Sequence, residues 1–284
     1  MTTLPYQLNL NGTLFDLSRP VVMAIINLTP DSFYKKSRIE TEKELLIRVE
    51  KTISEGATIL DIGGYSTRPN ATPVSTEEEL ERLKKGLKAI RKEFPNVIIS
   101  VDTFRSKIAE FVVKEFGVQI INDISGGTLD KKMFEMVAKL NVVYILMHMK
   151  GTPQTMTQMT DYENLMLEIM DFFQKKIDVL MDLGVKDVIL DPGFGFAKTL
   201  EQNYELMAKM KYLKEFELPI LSGISRKSMI FRLLESTPEE SLNGTTALNL
   251  LSLVEGANIL RVHDVKEAVE VVRIFEMYDK YLPK

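Results

Sequence analysis

The sequence contains no cysteine, no tryptophan and only two histidines among its 284 residues. The absence of cysteine excludes disulfides, thiol nucleophiles, iron–sulfur clusters and every thiolate zinc site. Because His148 and His263 are the only histidines, a three-histidine metal site is excluded as well. No apolar run approaches the ~18 residues of a membrane span, and the amino-terminal segment lacks the basic and apolar regions of a signal peptide. We therefore expect a cytoplasmic protein.

The composition is otherwise that of an ordinary folded protein, with 45% hydrophobic and 27% charged residues. The 36 basic and 40 acidic residues give a formal net charge of −4, which offers no electrostatic reason to expect a nucleic acid or a membrane surface as partner. At ~150 residues per domain the length suggests two domains, but α/β barrels reach ~250 residues as one unit. Since no linker interrupts the chain, we expect one domain over residues 1–284.

The chain repeats a unit of apolar strand, polar loop, amphipathic helix and glycine. The helical patterns stop at Gly56, Gly117, Gly184 and Gly256, where glycine supplies the left-handed conformation that ends a helix. The strands run continuously apolar, as strands covered on both faces do. Eight are predicted, namely Val21–Ile26, Ile59–Ile62, Val97–Val101, Gln119–Asn122, Val142–Met147, Val188–Leu190, Pro219–Ser222 and Asn258–Val262.

Eight alternations of strand and helix predict an α/β fold in which a parallel sheet closes into a (β/α)8 TIM barrel. A doubly wound open sheet is the competing fold, but no GxGxxG motif follows the first strand. Within residues 1–18, apolar residues alternate around Asn11-Gly12 and predict an N-terminal β-hairpin. We expect this hairpin to cover the barrel floor.

Polar residues at the carboxyl ends of the strands are the candidate site, because barrel active sites are built there. A single acid or amide at a strand end is more often a turn or helix-cap residue, and we assign Asp123 and Asp264 to that class. Nearly every strand nevertheless ends in a hydrogen-bonding group, which favours one shared ligand site. These groups are Asn27, Gly63-Gly64, Asp102-Thr103, Asn122, His148, Asp191, Ser222-Gly223 with Ser225–Ser228, and Arg261–His263.

The residue types indicate the chemistry of the ligand. The amide of Asn122 and the neighbouring carboxylates combine donors and acceptors, which suits a planar heterocycle with amide and amino edges. Arg261, His263 and Lys227 offer positive charge, and a helix start beside Lys227 presents free amides to an anion. A metal could be bound only through oxygen, and Asn27 beside a phosphate suits Mg²⁺. The sequence thus predicts a heterocyclic ligand that carries or meets an anion.

Seven motifs follow one another along nearly the whole chain, namely Asn27–Phe33, Asp61–Gly64 with Ser66–Pro69, Ser100–Thr103, Ile121–Gly127, Asp191–Phe196, Ser225–Ser228 and Arg261–Asp264. In residues and in order they resemble the dihydropteroate synthase family. The resemblance implies a transferase of folate synthesis that moves an alkyl or aryl group other than methyl. It would join 6-hydroxymethyl-7,8-dihydropterin diphosphate to 4-aminobenzoate and release diphosphate and 7,8-dihydropteroate. It also implies a Mg²⁺ cofactor, sulfonamides as inhibitors, and a homodimer packed through late barrel helices, with Leu242–Leu253 as the candidate segment.

Carried over position by position, the resemblance implies roles for individual residues. The residues expected to hold the pterin are Asp102, Asn122, Asp191 and Lys227, with Met147 packed on its ring. Those expected to hold the diphosphate are Arg261, His263 and Thr67, with Asn27 on its Mg²⁺. Those expected on the aminobenzoate side are Arg68, Phe196 and Ser228. The catalytic residues would be Asp102, Lys227, Arg261 and His263, whereas we expect His148 to be structural.

We expect a dissociative order of steps, in which diphosphate leaves before the weakly basic aniline attacks. Mg²⁺, Arg261 and His263 would stabilise the leaving group, and the Asp102 carboxylate would stabilise the pterin cation that remains. No strong base is required, because the aniline proton becomes acidic only as the new bond forms.

The sequence departs from the family pattern in its first two loops. The segment Tyr34–Arg38 is basic and lacks glycine where the family has an acidic, glycine-rich loop, while Tyr65 and Asn70 replace a glutamate and a glycine. Two alternatives are a pterin-binding methyltransferase that uses methyltetrahydrofolate, and a pterin-binding protein without catalytic activity. A barrel aldolase with Lys227 as Schiff-base nucleophile is disfavoured, because Lys227 follows a helix-start motif rather than an apolar strand.

Overall fold

The computed structural model describes residues 6–28, 41–65 and 74–282. Within these ranges the strands are β1 Gln7–Leu10, β2 Thr13–Asp16, β3 Val21–Asn27, β4 Ile59–Gly63, β5 Ile98–Asp102, β6 Ile120–Asp123, β7 Val143–Met147, β8 Val188–Asp191, β9 Leu221–Ser222 and β10 Ile259–Val262. The α-helices are α1 Glu42–Ser54, α2 Thr76–Glu93, α3 Ser106–Phe116, α4 Met133–Leu140, α5 Leu165–Asp182, α6 Leu200–Lys209, α7 Ser228–Phe231, α8 Leu242–Val254 and α9 Val265–Asp279. Two 3₁₀ helices span Met156–Gln158 and Met210–Phe216.

Strands β3 to β10 form one parallel sheet in the order β8-β7-β6-β5-β4-β3-β10-β9. A bridge between Leu190 of β8 and Ile220, next to β9, joins the two ends of this order and closes the barrel. At least one helix follows each strand of this parallel sheet, so the predicted (β/α)8 barrel is confirmed. All eight predicted barrel strands are present, and each overlaps its predicted range.

The hairpin β1–β2 lies across the amino-terminal end of the barrel. Its turn places Asn11 and Gly12 at φ 52° and 91°, the left-handed pair that a two-residue hairpin turn needs. Leu8, Leu10 and Leu17 are buried in one cluster with Met23, Ile59 and other residues at the starts of the barrel strands. The expected position over the barrel floor is therefore confirmed, and this end of the barrel is apolar and closed.

The glycines that follow four helical patterns end those helices as predicted. Gly117 is the left-handed cap of α3, and Gly56, Gly184 and Gly256 have φ between 82° and 105°. Each turn feeds the chain into the next barrel strand. In the described ranges, no helix is both long and apolar enough to cross a membrane.

Candidate functional site

Three charged side chains from three different strands meet at the carboxyl end of the barrel. Arg261 of β10 donates from Nε to Asp61 Oδ2 at 2.6 Å and from Nη2 to Asp102 Oδ2 at 2.8 Å. The Asp61 side chain is completely buried and that of Asp102 is nearly so. Burial and the nearby Asp61 raise the pKa of Asp102, while Arg261 opposes that rise. One guanidinium therefore serves two carboxylates, and the group retains a net negative charge when both are ionised.

Asn122 of β6 extends this group toward the centre of the mouth. Its Nδ2 donates to Asp61 Oδ2 at 3.0 Å. Its own Oδ1 and Asp61 Oδ1 are both buried without a hydrogen-bond partner. Because a buried polar atom without a partner costs free energy, two such atoms side by side indicate that a ligand completes the set.

Asp191 and Lys227 form the other polar half of the mouth. Asp191 ends β8, and its Oδ1 accepts a hydrogen bond from Gly193 N at 2.8 Å. Burial raises its pKa, and the nearby Lys227 lowers it. For Lys227, burial lowers the pKa to about 8, against the effect of Asp191. Lys227 Nζ donates to Phe194 O at 2.5 Å and lies 4.6 Å from the centre of the Phe196 ring.

His263 lies beside these residues but does not supply the positive charge expected of it. Burial first, then Arg261 and Arg226, lower its pKa to about 3. Its Nδ1 lies 3.1 Å from Ser225 Oγ, which also accepts from His263 N at 3.2 Å. Burial and these cations favour a neutral imidazole over the cationic His263 expected from the sequence. A neutral imidazole can still contact an anion by donating a hydrogen bond.

The two acids assigned to local structure behave differently. Asp123 accepts from Ser125 and Gly127 in the turn after β6 and from Tyr144 Oη at 2.7 Å, which confirms its structural assignment. Asp264 makes no side-chain cap on α9. Instead it binds Arg226 through two hydrogen bonds of 2.8 Å, tying the loop after β9 to the loop after β10. These loops carry Lys227 and His263.

An apolar cluster covers another side of the mouth. Met147, which ends β7, is buried together with Ile124, Met149 and Met156, and the partly buried Phe196 packs against them. Met147 and Phe196 were expected on the pterin and aminobenzoate sides respectively, and the structure brings both to one wall. Ser228 begins α7 as expected, although α7 has only four residues.

The remaining predicted residues lie near the ends of the described ranges or outside them. Asn27 ends β3, and its Oδ1 lies close to Gly63. A Cβ atom added to this glycine would lie 3.3 Å from that oxygen. An amide oxygen beside a residue without a side chain fits a single Mg²⁺ ligand, with the rest supplied by phosphate and water. Thr67, Arg68, Asn70 and Tyr34–Arg38 lie outside the described residues. Tyr65 is described, and its ring meets Phe104 edge-on at 5.3 Å between ring centres.

Two residues of the site were not singled out from the sequence. Asp61 was quoted only as part of a motif, although an acid inside the apolar strand β4 and an arginine inside β10 form a complementary buried pair. Lys198 gave no signal, since it follows a glycine-rich loop like any surface lysine. Its Nζ is nevertheless buried and lies 3.1 Å from Nδ1 of His148. Burial, followed by the nearby lysines, lowers the pKa of His148 far below its ordinary range, consistent with the structural role expected of it.

Comparison with known proteins gives matches over most of the chain. A family model described as "Pterin binding enzyme" matches residues 23–263. Dihydropteroate synthase of Escherichia coli K12 is 42% identical over 267 residues, which cover 93% of this chain and 94% of the relative. This relative is a synthase, which favours that expectation over the methyltransferase and the inactive protein.

Solved structures with the same fold include complexes with a sulfonamide drug and with 4-aminobenzoate. Yersinia pestis dihydropteroate synthase in a sulfonamide drug complex superposes with a TM-score of 0.91 at 40% identity, covering 98% of this chain and 100% of that one. The Thermus thermophilus enzyme in complex with 4-aminobenzoate has a TM-score of 0.85 at 34% identity, covering 96% of this chain and 99% of that one.

Proposed function

The chain belongs to the dihydropteroate synthase family of pterin-binding enzymes, and from this membership we propose how its own residues divide the reaction. It is a transferase of folate synthesis that condenses 6-hydroxymethyl-7,8-dihydropterin diphosphate with 4-aminobenzoate. The finer class is transfer of an alkyl or aryl group other than methyl, because the pterin methylene is the group that moves to the aniline nitrogen.

The observation that carries the proposal is the pair of unpartnered buried oxygens on Asp61 and Asn122. A pterin presents a row of N–H donors and carbonyl or ring-nitrogen acceptors along one edge. The Asn122 oxygen and the carboxylates of Asp102 and Asp191 accept from the donors, and the Lys227 ammonium donates to an acceptor. Met147 packs on the ring face. The pocket therefore binds preferentially a planar ligand with alternating donors and acceptors.

The diphosphate is assigned to the side of the mouth formed by β10 and β3. Arg261 stays protonated, because Asp61 and Asp102 raise its pKa against the effect of burial. Neutral His263 donates a hydrogen bond rather than charge. Asn27 would hold Mg²⁺, which would neutralise charge on the departing diphosphate. Thr67 is assigned to the same anion.

Departure of diphosphate leaves a cation on the pterin methylene and ring. The carboxylates of Asp102 and Asp61 lie in a water-poor site where opposite charge is stabilised strongly, which favours the dissociative order. The aniline nitrogen then attacks, forming the C–N bond, and its proton passes to solvent or the released diphosphate. No side chain of the described residues has to act as a strong base.

The aminobenzoate side is assigned to Phe196, Ser228 and Arg68. The Phe196 ring supplies an apolar surface for the benzene ring, while Ser228 and the adjacent cations meet the carboxylate. Sulfonamides resemble aminobenzoate in shape, and the Yersinia pestis relative has been solved with such a drug. We therefore propose that sulfonamides compete at this side.

The proposal is tested by product formation. Protein, Mg²⁺ and dihydropterin diphosphate are mixed with and without 4-aminobenzoate, and dihydropteroate and diphosphate are measured. Asn122→Leu should raise the Kd for pterin at least tenfold, because the Asp61 carboxylate then loses a donor and the ligand an acceptor. Asn249→Leu is the matched control, since Asn249 also has a buried, unpartnered amide oxygen but lies on α8. Equal losses in both variants would overturn the pterin assignment.

Two further assignments complete the proposal. We propose a homodimer built on the late barrel helices and a cytoplasmic location. Small molecules are the only partners the site requires.

A further inference from the structure

Lys198 is a buried lysine that no step of the reaction uses. Its side chain is 9% exposed. Its Nζ donates to Gly193 O at 3.0 Å and to Phe196 O at 3.1 Å, and it lies 3.1 Å from His148 Nδ1. The amino group therefore has three polar partners, and two of them are backbone carbonyls of one loop.

The two carbonyl partners of Lys198 belong to the loop that connects β8 to α6. This loop begins after Asp191 and ends with Phe196 and Ala197, so it joins the pterin side of the mouth to the aminobenzoate side. Gly193, Gly195 and Ala197 all adopt φ between 49° and 78°. Three left-handed residues within five positions make this an unfavourable path for the chain, most of all at Ala197. The loop therefore needs contacts that hold it in place.

Two lysines donate hydrogen bonds to backbone carbonyls of this loop. Lys227 donates to Phe194 O, and Lys198 donates to the carbonyls on either side of it. In the proposed reaction Lys227 turns its ammonium to the pterin and releases Phe194 O. Lys198 is buried beneath the loop against His148, so it retains its contacts whether or not substrate is bound.

We propose that Lys198 is a positioning residue, which holds the loop of residues 192–197 so that Phe196 presents its ring to 4-aminobenzoate. Lys198 acts through the Phe196 carbonyl and does not touch substrate. The inference rests on the proposed role of Phe196. The proposal also gives a part to His148, the residue after β7, since its Nδ1 lies 3.1 Å from Lys198 Nζ.

Lys198→Met tests the proposal because it removes the amino group while keeping most of the length of the side chain. We expect the KM for 4-aminobenzoate to rise about tenfold or more, because two carbonyls of the loop lose their hydrogen-bond donor. The Kd for dihydropterin diphosphate should change less than about twofold. Lys198→Gln keeps two donors without charge and should fall between Met and the natural residue. Lys209→Met is the control, since Lys209 pairs with Glu205 on the outer face of α6.

A double-mutant cycle separates positioning from general damage. If Lys198 acts through Phe196, Lys198→Gln should add little to the KM for aminobenzoate once Phe196→Leu is present. The positioning role would be overturned if the effects of the two substitutions on this KM multiply. It would also be overturned if pterin binding and aminobenzoate binding are lost equally. If Phe196→Leu alone leaves the KM unchanged, the assignment of Phe196 fails independently of Lys198. Should Lys198→Met not fold, Lys198→Gln carries the same cycle.

Discussion

At the scale of single residues, the two histidines allow the charge of the site to be measured directly. Burial and neighbouring cations lower the pKa of both rings, that of His263 to about 3. We expect both imidazoles to stay neutral between about pH 5 and 8, where an unperturbed histidine would titrate. Because the sequence has two histidines, NMR of histidine-labelled protein shows signals from two rings. The variant His263→Gln identifies which signals belong to His263. A His263 signal that moves with a midpoint near 6.5 would contradict this prediction, because it would show that the ring takes up a proton as an ordinary histidine does.

Arg261 gives the second prediction at this scale. In Arg261→Met the buried carboxylates of Asp61 and Asp102 face each other without their cation, which costs about 3–5 kcal/mol of unfolding free energy at neutral pH. Burial already raises the pKa of Asp102, and loss of the arginine removes the effect that opposes this rise. A carboxyl with a raised folded-state pKa retains stability at low pH and loses it as pH rises through the window between its unfolded and folded values. Denaturant unfolding should therefore show a larger deficit at pH 8 than at pH 5. Arg273→Met, on the exposed face of α9, should show neither effect.

The same pair shows what a sequence can and cannot reveal about a residue. Asp61 and Arg261 are 200 positions apart. Each could be found as a charge inside an apolar strand, and adjacency of β10, β3 and β4 in a closed barrel follows from chain order. Lys198 could not be found in this way, because its inward direction depends on the left-handed turns of its own loop. The low pKa of His263 depends first on burial and then on cations that include three arginines, which come from α1, the β9–α7 loop and β10.

At the scale of elements, the hairpin β1–β2 separates stability from activity. Leu17 is fully buried against the barrel floor, at the opposite end from the site. Leu17→Ala should lower the free energy of unfolding by about 2–5 kcal/mol through lost packing and a residual cavity. Leu14→Ala is the matched control, because Leu14 lies on the same hairpin but is 68% exposed. At low temperature kcat/KM should be unchanged in both, and a loss of activity in Leu17→Ala would mean that the floor influences the mouth.

The elements themselves were predictable where local chemistry decides them. Asn11-Gly12 determines the hairpin turn, and the apolar runs with their terminal glycines mark the strands and helices. The region after β9 was less predictable from the sequence, because α7 is a single helical turn and further turns follow it before α8 begins at Leu242. Arg226, with φ 55° and hydrogen bonds to Asp264, Pro238 and Glu239, holds this region by contacts distant in sequence. Tertiary contacts rather than local propensity set its path.

At the scale of the whole molecule, exposed apolar side chains on neighbouring helices support the proposed homodimer. Leu251 and Val254 of α8 and Ile274 and Met277 of α9 are 42–61% exposed and lie toward the same, carboxyl-terminal ends of these helices. Exposed apolar side chains grouped on adjacent helices favour an interaction site there. We expect sedimentation to give a dimer, and the combined change Leu251→Glu with Met277→Glu to give a monomer, because two charges would be buried on each side of the interface. The control variant Leu167→Glu, which changes an exposed residue of α5, should remain a dimer. A natural chain that sediments as a monomer at micromolar concentration would refute the dimer, and a dimer that survives both glutamates would place its interface elsewhere.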